Sequence, residues 1–404
     1  MQPKLRPLDI RPIRHQGQPA LLLRDPLALS DQTIVVPQGL APLLPLLDGS
    51  RDERAILASL EIRAGVRLSL SALDRLLSQL DQALLLDNDH SARAREEQLC
   101  LYRSADCRPP ALAGQGYPAE PEMLQRLLQG YVDSAPPASP GAEPERPIRG
   151  LVSPHIDFQR GHAVYAQVWR EAAAAVQEAE LAVILGTDHM DGTGTITLTR
   201  QSYATPWGTL PTARLVVEVA ARAMGQEAAF QQELHHRSEH SIEMAAVWLH
   251  FVRGGREIPL VPVLCGALDP LLGGGNGQDL SHLAAAAEAL RRATARYRTL
   301  VVAAGDLAHV GPAFGDGYGV DILGRARLRS SDEALLQAAC TGDADAFVQQ
   351  ARAQGNGRRV CGLFPIALAL RILEPAQGTM VGYAQCPADE SGASWVSIGG
   401  ITWR

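Results

Sequence analysis

Three short apolar runs in this chain stop at polar segments that carry histidine. They are Gly150-Leu151-Val152-Ser153-Pro154-His155-Ile156-Asp157, Leu181-Ala182-Val183-Ile184-Leu185-Gly186-Thr187-Asp188-His189 and Leu300-Val301-Val302-Ala303-Ala304-Gly305-Asp306-Leu307-Ala308-His309. An unbroken apolar run of this length is the pattern of a strand covered on both faces, and open α/β sheets bind ligands beyond the carboxyl ends of such strands. The three polar ends are therefore expected to converge.

Further strands are expected at 195–199, 258–264, 379–384 and 395–401, and helices at 163–178, 213–223, 238–252, 280–295, 332–341 and 362–372. This alternation predicts an α/β fold with a central, mostly parallel or mixed sheet flanked by helices. Residues 1–90 are patterned separately: a short strand at 19–23, an apolar stretch at 40–47, an Asp48-Gly49 turn, and helical periodicity over 52–60 and 70–86. In the last of these Leu73, Leu76, Leu77, Leu80 and Leu84 share one face, as a small helical domain with a little sheet requires. The charged stretch 87–97 reads as part of a linker over 91–107, which leaves 108–404 as the larger domain. Prolines crowd 134–149 and predict an extended surface loop. Gly273-Gly274-Gly275 reads as a loop and not a phosphate cradle, because it opens no helix after a strand.

Charged residues are 20% of the 404-residue chain and apolar residues 46%, which places it with globular proteins. A net charge of −7 gives no basic footprint for nucleic acid. No stretch approaches the roughly 18 apolar residues of a membrane span, so a cytoplasmic protein is expected. The six cysteines lack CxxC pairing and are too sparse for a disulfide scaffold.

Among eleven histidines, His155, His189, His240 and His309 stand at strand ends or beside carboxylates. Imidazole suits zinc, iron and copper, and a catalytic centre commonly takes three protein ligands and keeps one position open. His155 and His189 are candidates for two; the third is an acidic residue or a thiolate. Cys361 follows Arg358 and Arg359 at an expected helix start, where the dipole and positive charge favour a thiolate, although an inert core thiol also fits. Ser238 is expected to cap a helix on which His240 and Glu243 share a face and work together. Asp306 and His309 are also three apart, and the carboxylate is expected to fix the tautomer of the histidine. Nucleophile-elbow, Walker and dinucleotide motifs are absent, so a metal-centred site remains.

The order Ala113-Gly114-Gln115-Gly116-Tyr117-Pro118, Ser153-Pro154-His155, Gly186-Thr187-Asp188-His189, Tyr203-Ala204-Thr205-Pro206-Trp207-Gly208, Glu239-His240-Ser241-Ile242-Glu243, Gly305-Asp306-Leu307-Ala308-His309 and Cys361-Gly362 with Pro365 resembles the Memo family, protein B of the AmmeMemoRadiSam system. The resemblance covers about 108–404. It implies a class III extradiol dioxygenase-like fold, a non-haem metal site and, in microbes, a radical-SAM protein and a small companion as partners. It also implies that His155, His189 and Cys361 are the metal ligands, that His240, Asp306 and His309 are the catalytic residues lining the pocket, and that His309 acts as acid and base on a substrate hydroxyl. The chain departs from the family where Ile156-Asp157 follow His155 and Met190 follows His189. Asp157, Arg160, Asp188 and Glu243 are accordingly expected around the substrate pocket.

The first ninety residues lie outside that likeness and resemble the winged-helix peptide-binding domain of the pyrroloquinoline-quinone pathway; a structural or dimerising cap is the alternative. The function that the resemblance implies is an iron(II)-dependent oxidoreductase acting on a small molecule or peptide, with copper or zinc as alternative metals. A zinc hydrolase using the same ligands and a non-catalytic peptide- or partner-binding scaffold are the competing readings.

Overall fold

The computed structural model describes residues 2–136, 146–190, 194–268 and 281–404. The expected Gly273-Gly274-Gly275 loop and most of the proline-rich stretch lie outside these residues. The chain divides into two compact units, 1–104 and 105–404.

In the first unit β1 (Asp9–His15) and β2 (Gln18–Arg24) form an antiparallel hairpin, and β3 (Ile34–Pro37) adds to β2. Gln16 and Gly17 both take positive φ, 51° and 78°, which a two-residue hairpin turn requires. Helices α1 (Glu53–Ala64) and α2 (Leu70–Gln82) start where Asp52 and Ser69 accept hydrogen bonds from Ala55 N and Ala72 N. They bury Ile56, Leu60, Leu73 and Leu80 in a common core. The N-terminal stretch is tied into this unit through Arg6. Arg6 pairs at 3.0 Å with buried Asp25 and donates to Leu84 O at 2.7 Å. The stretch expected as a linker is mostly helix, α3 (Asp89–Ser104).

The second unit opens with α4 (Pro121–Ser134), β4 (Gly150–Ser153), α5 (Phe158–Glu171), α6 (Ala173–Glu178) and β5 (Leu181–Thr187). Short strands β6 (Ile196–Leu198), β7 (Tyr203–Thr205) and β8 (Gly208–Leu210) lead to α7 (Arg214–Met224), α8 (Gln226–Phe230) and α9 (Ser241–Val252). Then come β9 (Leu260–Cys265), α10 (Ser281–Thr294), β10 (Thr299–Ala304), β11 (His309–Val310), α11 (Ile322–Cys340), α12 (Ala344–Gln354), α13 (Leu363–Leu373), β12 (Gly378–Pro387) and β13 (Trp395–Trp403). The main sheet is mixed and runs β11-β13-β4-β10-β5-β9-β6, with β12 also pairing β13. Its centre, β4, β10, β5 and β9, is parallel; β13 and β6 run antiparallel to their neighbours.

The three apolar runs are thus adjacent strands, and Ala304 of β10 lies level with Ser153 of β4 and Gly186 of β5. Their polar ends leave the same edge side by side. Every residue of β5 is buried, and at about 1.5–3 kcal/mol per large aliphatic side chain the run holds His189 firmly at that edge. One apolar layer takes side chains from α7, α10, α12 and α13, the other from α4, α5 and α9, so both faces are covered.

Several boundaries differ from expectation. The helix expected over 163–178 is broken at Ala172 into α5 and α6. The helix expected from Ser238 begins at Ser241, and that expected at 332–341 reaches back to Ile322, where Asp321 caps it. Helix α12 was not anticipated. Among the described residues no helix is long and apolar enough to cross a membrane.

Candidate metal centre

Two close backbone approaches assemble the site. A Cβ at Gly186, near the end of β5, would lie 2.5 Å from Ser241 Oγ and 2.6 Å from Ile242, so only glycine lets the start of α9 reach that strand. A Cβ at Gly305 would lie 2.4 Å from Gly362 Cα; this contact seats Cys361 beside the end of β10. Gly362 N donates to Asp306 O at 2.9 Å across the same junction.

His155, His189 and His240 each offer a ring nitrogen, and these atoms lie within 4.8 Å of one another, a group that could hold a metal ion. Each ring is anchored by Nδ1. That of His155 faces Ala304 O at 3.1 Å, that of His189 faces the Glu239 carboxylate at 3.0 and 3.1 Å, and that of His240 faces Glu239 Oε1 at 3.1 Å. These oxygens accept only, so the Nδ1 atoms of His155 and His189 donate to them, His240 is held beside the same carboxylate, and Nε2 is the atom that would ligate a metal after giving up its proton.

Cys361 Sγ lies 3.4 Å from His155 Nε2. Burial would push this thiol up, but His155, His189 and His309 outweigh burial and hold it well below the ordinary thiol range. Burial also opposes the charge on His155, yet Asp306 and Cys361 raise it to about 9. Likewise Glu239 is held far below the carboxylate range and His189 far above the imidazole range, because their attraction exceeds the cost of burying both.

Glu239 is the residue that sequence reasoning missed as a participant. Beyond the two rings, it accepts from His189 N at 3.1 Å, His240 N at 2.7 Å and Ser241 N at 3.0 Å, thereby capping α9. Its place beside His240 in a helix-opening motif was the available signal. The expected partner Glu243 instead points away from the rings. Buried, it takes Arg108, Ala111 N at 2.7 Å, Leu112 N at 2.9 Å and the Tyr117 hydroxyl at 2.6 Å. Ser238 closes a 3-10 turn and caps nothing.

Asp306 does not orient His309. Its Oδ1 accepts from His155 N at 2.9 Å and Ile156 N at 3.3 Å, so the carboxylate fixes the first histidine-bearing turn. His309 is held by backbone: its N donates to Arg358 O at 2.7 Å, and Nδ1 faces Leu307 O at 3.2 Å and Arg359 O at 3.1 Å. Its Nε2 is therefore left for chemistry, and Phe314 stands edge-on at 5.2 Å between ring centroids. Asp188 is buried against His235 Nδ1 at 2.7 Å. Asp157 caps α5 and pairs with Arg160, which also donates to Pro387 O at 3.1 Å, so both are engaged in holding the helix start.

His236 is fully buried beneath this cluster, accepting from the Tyr203 hydroxyl at Nδ1, 2.7 Å, and donating from Nε2 to Thr197 O, 3.1 Å. Burial chiefly, with Arg108 nearby, pushes it down to about 3. The unfolded chain takes up this proton below pH 6.5 and the folded one only near 3, so stability falls as pH drops through that window, by at most about 1.4 kcal/mol per unit. Urea unfolding at stepped pH is expected to show that slope in the wild type and a shallower one in His236→Gln.

A mixed α/β unit in which two central strand ends and two helix starts bring together three histidines and a cysteine defines a candidate metal-binding protein. A family model described as Memo-like protein matches residues 108–402, and the chain belongs to the Memo family. It is 25% identical over 321 residues to a MEMO1 family protein of Aquifex aeolicus, covering 80% of this chain and 79% of that one. With a MEMO1 family protein of Thermus thermophilus it shares 29% identity over 327 residues, 80% and 90% of the two chains. A third, from Methanosarcina acetivorans, is 32% identical over 165 residues, 41% of this chain and 56% of its own.

Proposed function

We propose that the Memo-like unit is a metal-dependent oxidoreductase of extradiol-dioxygenase type, with a dioxygenase-like fold, iron(II) held by His155, His189 and Cys361, and His240, Asp306 and His309 around the substrate. The observation that carries this reading is the shared anchoring of the rings: Nδ1 is engaged on His155, His189 and His240, and the ring nitrogens converge within 4.8 Å. The depressed Cys361 thiol beside His155 supports it as the third ligand. When bound, iron(II) supplies Lewis acidity and redox capacity at open coordination positions, and the same donors accept copper or zinc. The protein's share is positional. Asp306 holds the His155 turn, Glu239 holds His189 and His240, and His309, with Nδ1–H fixed on two carbonyls, offers Nε2 to take and return a substrate proton. In the same reading the first unit is a winged-helix-like module that recruits a peptide or a radical-SAM companion in the cytoplasm.

Metal analysis after anoxic purification is expected to find a stoichiometric transition metal, lost in His155→Ala and His189→Ala and reduced in Cys361→Ser. Full retention in Cys361→Ser with loss in His240→Ala would reassign the third ligand to His240. A wild type without stoichiometric metal sinks the reading. The three-histidine group favours one second reading, zinc-dependent hydrolysis, since zinc on three imidazoles lowers the pKa of its water to about 7. Turnover that persists with zinc and without oxygen would select it.

A further inference from the structure

Arg108 lies outside every motif that bears the candidate ligands, yet its guanidinium is completely buried and works within the same cluster. A buried guanidinium is costly unless each donor is matched, and its planar fork makes several directed bonds at once. Here Nη1 pairs with the Glu243 carboxylate, Nε donates to His236 O at 2.8 Å, and Nη2 donates to Glu239 O at 2.6 Å. One carbonyl belongs to the 3-10 turn Glu233–Arg237 and the other to the short segment that joins this turn to α9 and presents Glu239 and His240. Glu239 is consequently fixed at both ends. Arg108 holds its carbonyl, and the two imidazoles with three backbone N–H groups hold its carboxylate.

Glu243 sets the guanidinium in turn, and is itself held by Ala111 N, Leu112 N and the Tyr117 hydroxyl. A continuous line of contacts runs from residues 111–117 through Glu243 and Arg108 to Glu239 and on to His189 and His240.

We infer that Arg108 is a positioning residue of the metal centre, which aims the His189 and His240 rings through the Glu239 peptide. This rests on the reading of the histidine cluster as a metal site. Lysine keeps the charge but places a single ammonium where the fork bonds three partners, so it cannot hold both carbonyls and Glu243 together.

The test uses the full-length protein and cobalt(II) as the probe. Arg108→Lys is expected to weaken cobalt binding by about 10- to 100-fold, the usual effect of losing an outer support of a metal ligand, and to alter the cobalt absorption spectrum. Phe347→Leu, in the apolar layer on the other face of the sheet, lowers the unfolding midpoint without moving cobalt affinity or spectrum, which separates positioning from loss of stability. A second arm needs no metal: ring-nitrogen NMR of the histidine-labelled apo-protein is expected to show the signals of the His189 and His240 rings held on Glu239 shifted and broadened in Arg108→Lys. Cobalt binding by the wild type and by Arg108→Lys with equal affinity and spectrum would overturn the inference while leaving the metal site standing. A wild type that binds no cobalt removes the metal reading; unchanged His189 and His240 ring-nitrogen signals in Arg108→Lys would then overturn the positioning role too.

Discussion

Glu239→Ala is expected to weaken metal binding by about 10- to 100-fold. One carboxylate orients two rings, so its removal frees His189 and His240 together. The same change strips the cap from α9, leaving His240 N and Ser241 N without their acceptor, at about 1–2 kcal/mol. Glu239→Gln separates the two effects. The amide keeps one acceptor oxygen for the helix start but turns a donor toward the second ring, so most stability should return while affinity stays low. Titration with cobalt(II) beside urea unfolding reads both quantities. Equal affinity in wild type and Glu239→Ala would mean that the rings are oriented by packing alone.

Gly305→Ala is expected to cost about 3 kcal/mol of stability, the upper range for overpacking a core. The added methyl would meet Gly362 Cα at 2.4 Å, and backbone on both sides leaves no flexible side chain to yield. Relief must come from parting the end of β10 from the start of α13, which carries Cys361 away from His155. Gly357→Ala is the matched contrast. It meets nothing within 4 Å and has no positive φ, so it should be neutral or stabilise by up to about 1 kcal/mol. A loss below about 1 kcal/mol in Gly305→Ala would show that the junction can open, and the tight seating of Cys361 would have to be abandoned.

The fold was largely legible because a strand covered on both faces must be apolar at every position. That is why β4, β5 and β10 stood out, whereas β1, with its solvent-facing Arg11 and Arg14, was not expected as a strand. Helix α12 was hidden because alanines, Ala344 and Ala351, make up half of its buried stripe, and α3 because it is mostly polar. The bringing together of His155, His189 and the Asp306–His309 segment followed from strand ends alone. That Cys361 belongs with them did not, since burial makes an inert thiol and a ligand look alike along the chain.

Spacing by three misled twice. Asp306 serves His155 and not His309, and Glu243 serves Arg108 and not His240. Residues three apart share a helical face only when a helix contains them both. His309 sits in a strand, and α9 begins just after His240.

By itself, then, the sequence determined the layers, the strands that carry the histidines and the edge at which those histidines emerge, because burial is written locally, residue by residue. Only the tertiary structure decided which carboxylate holds which ring. Partners such as Arg108 and Glu243 stand 135 positions apart, and nothing in either segment records the close approach that joins them.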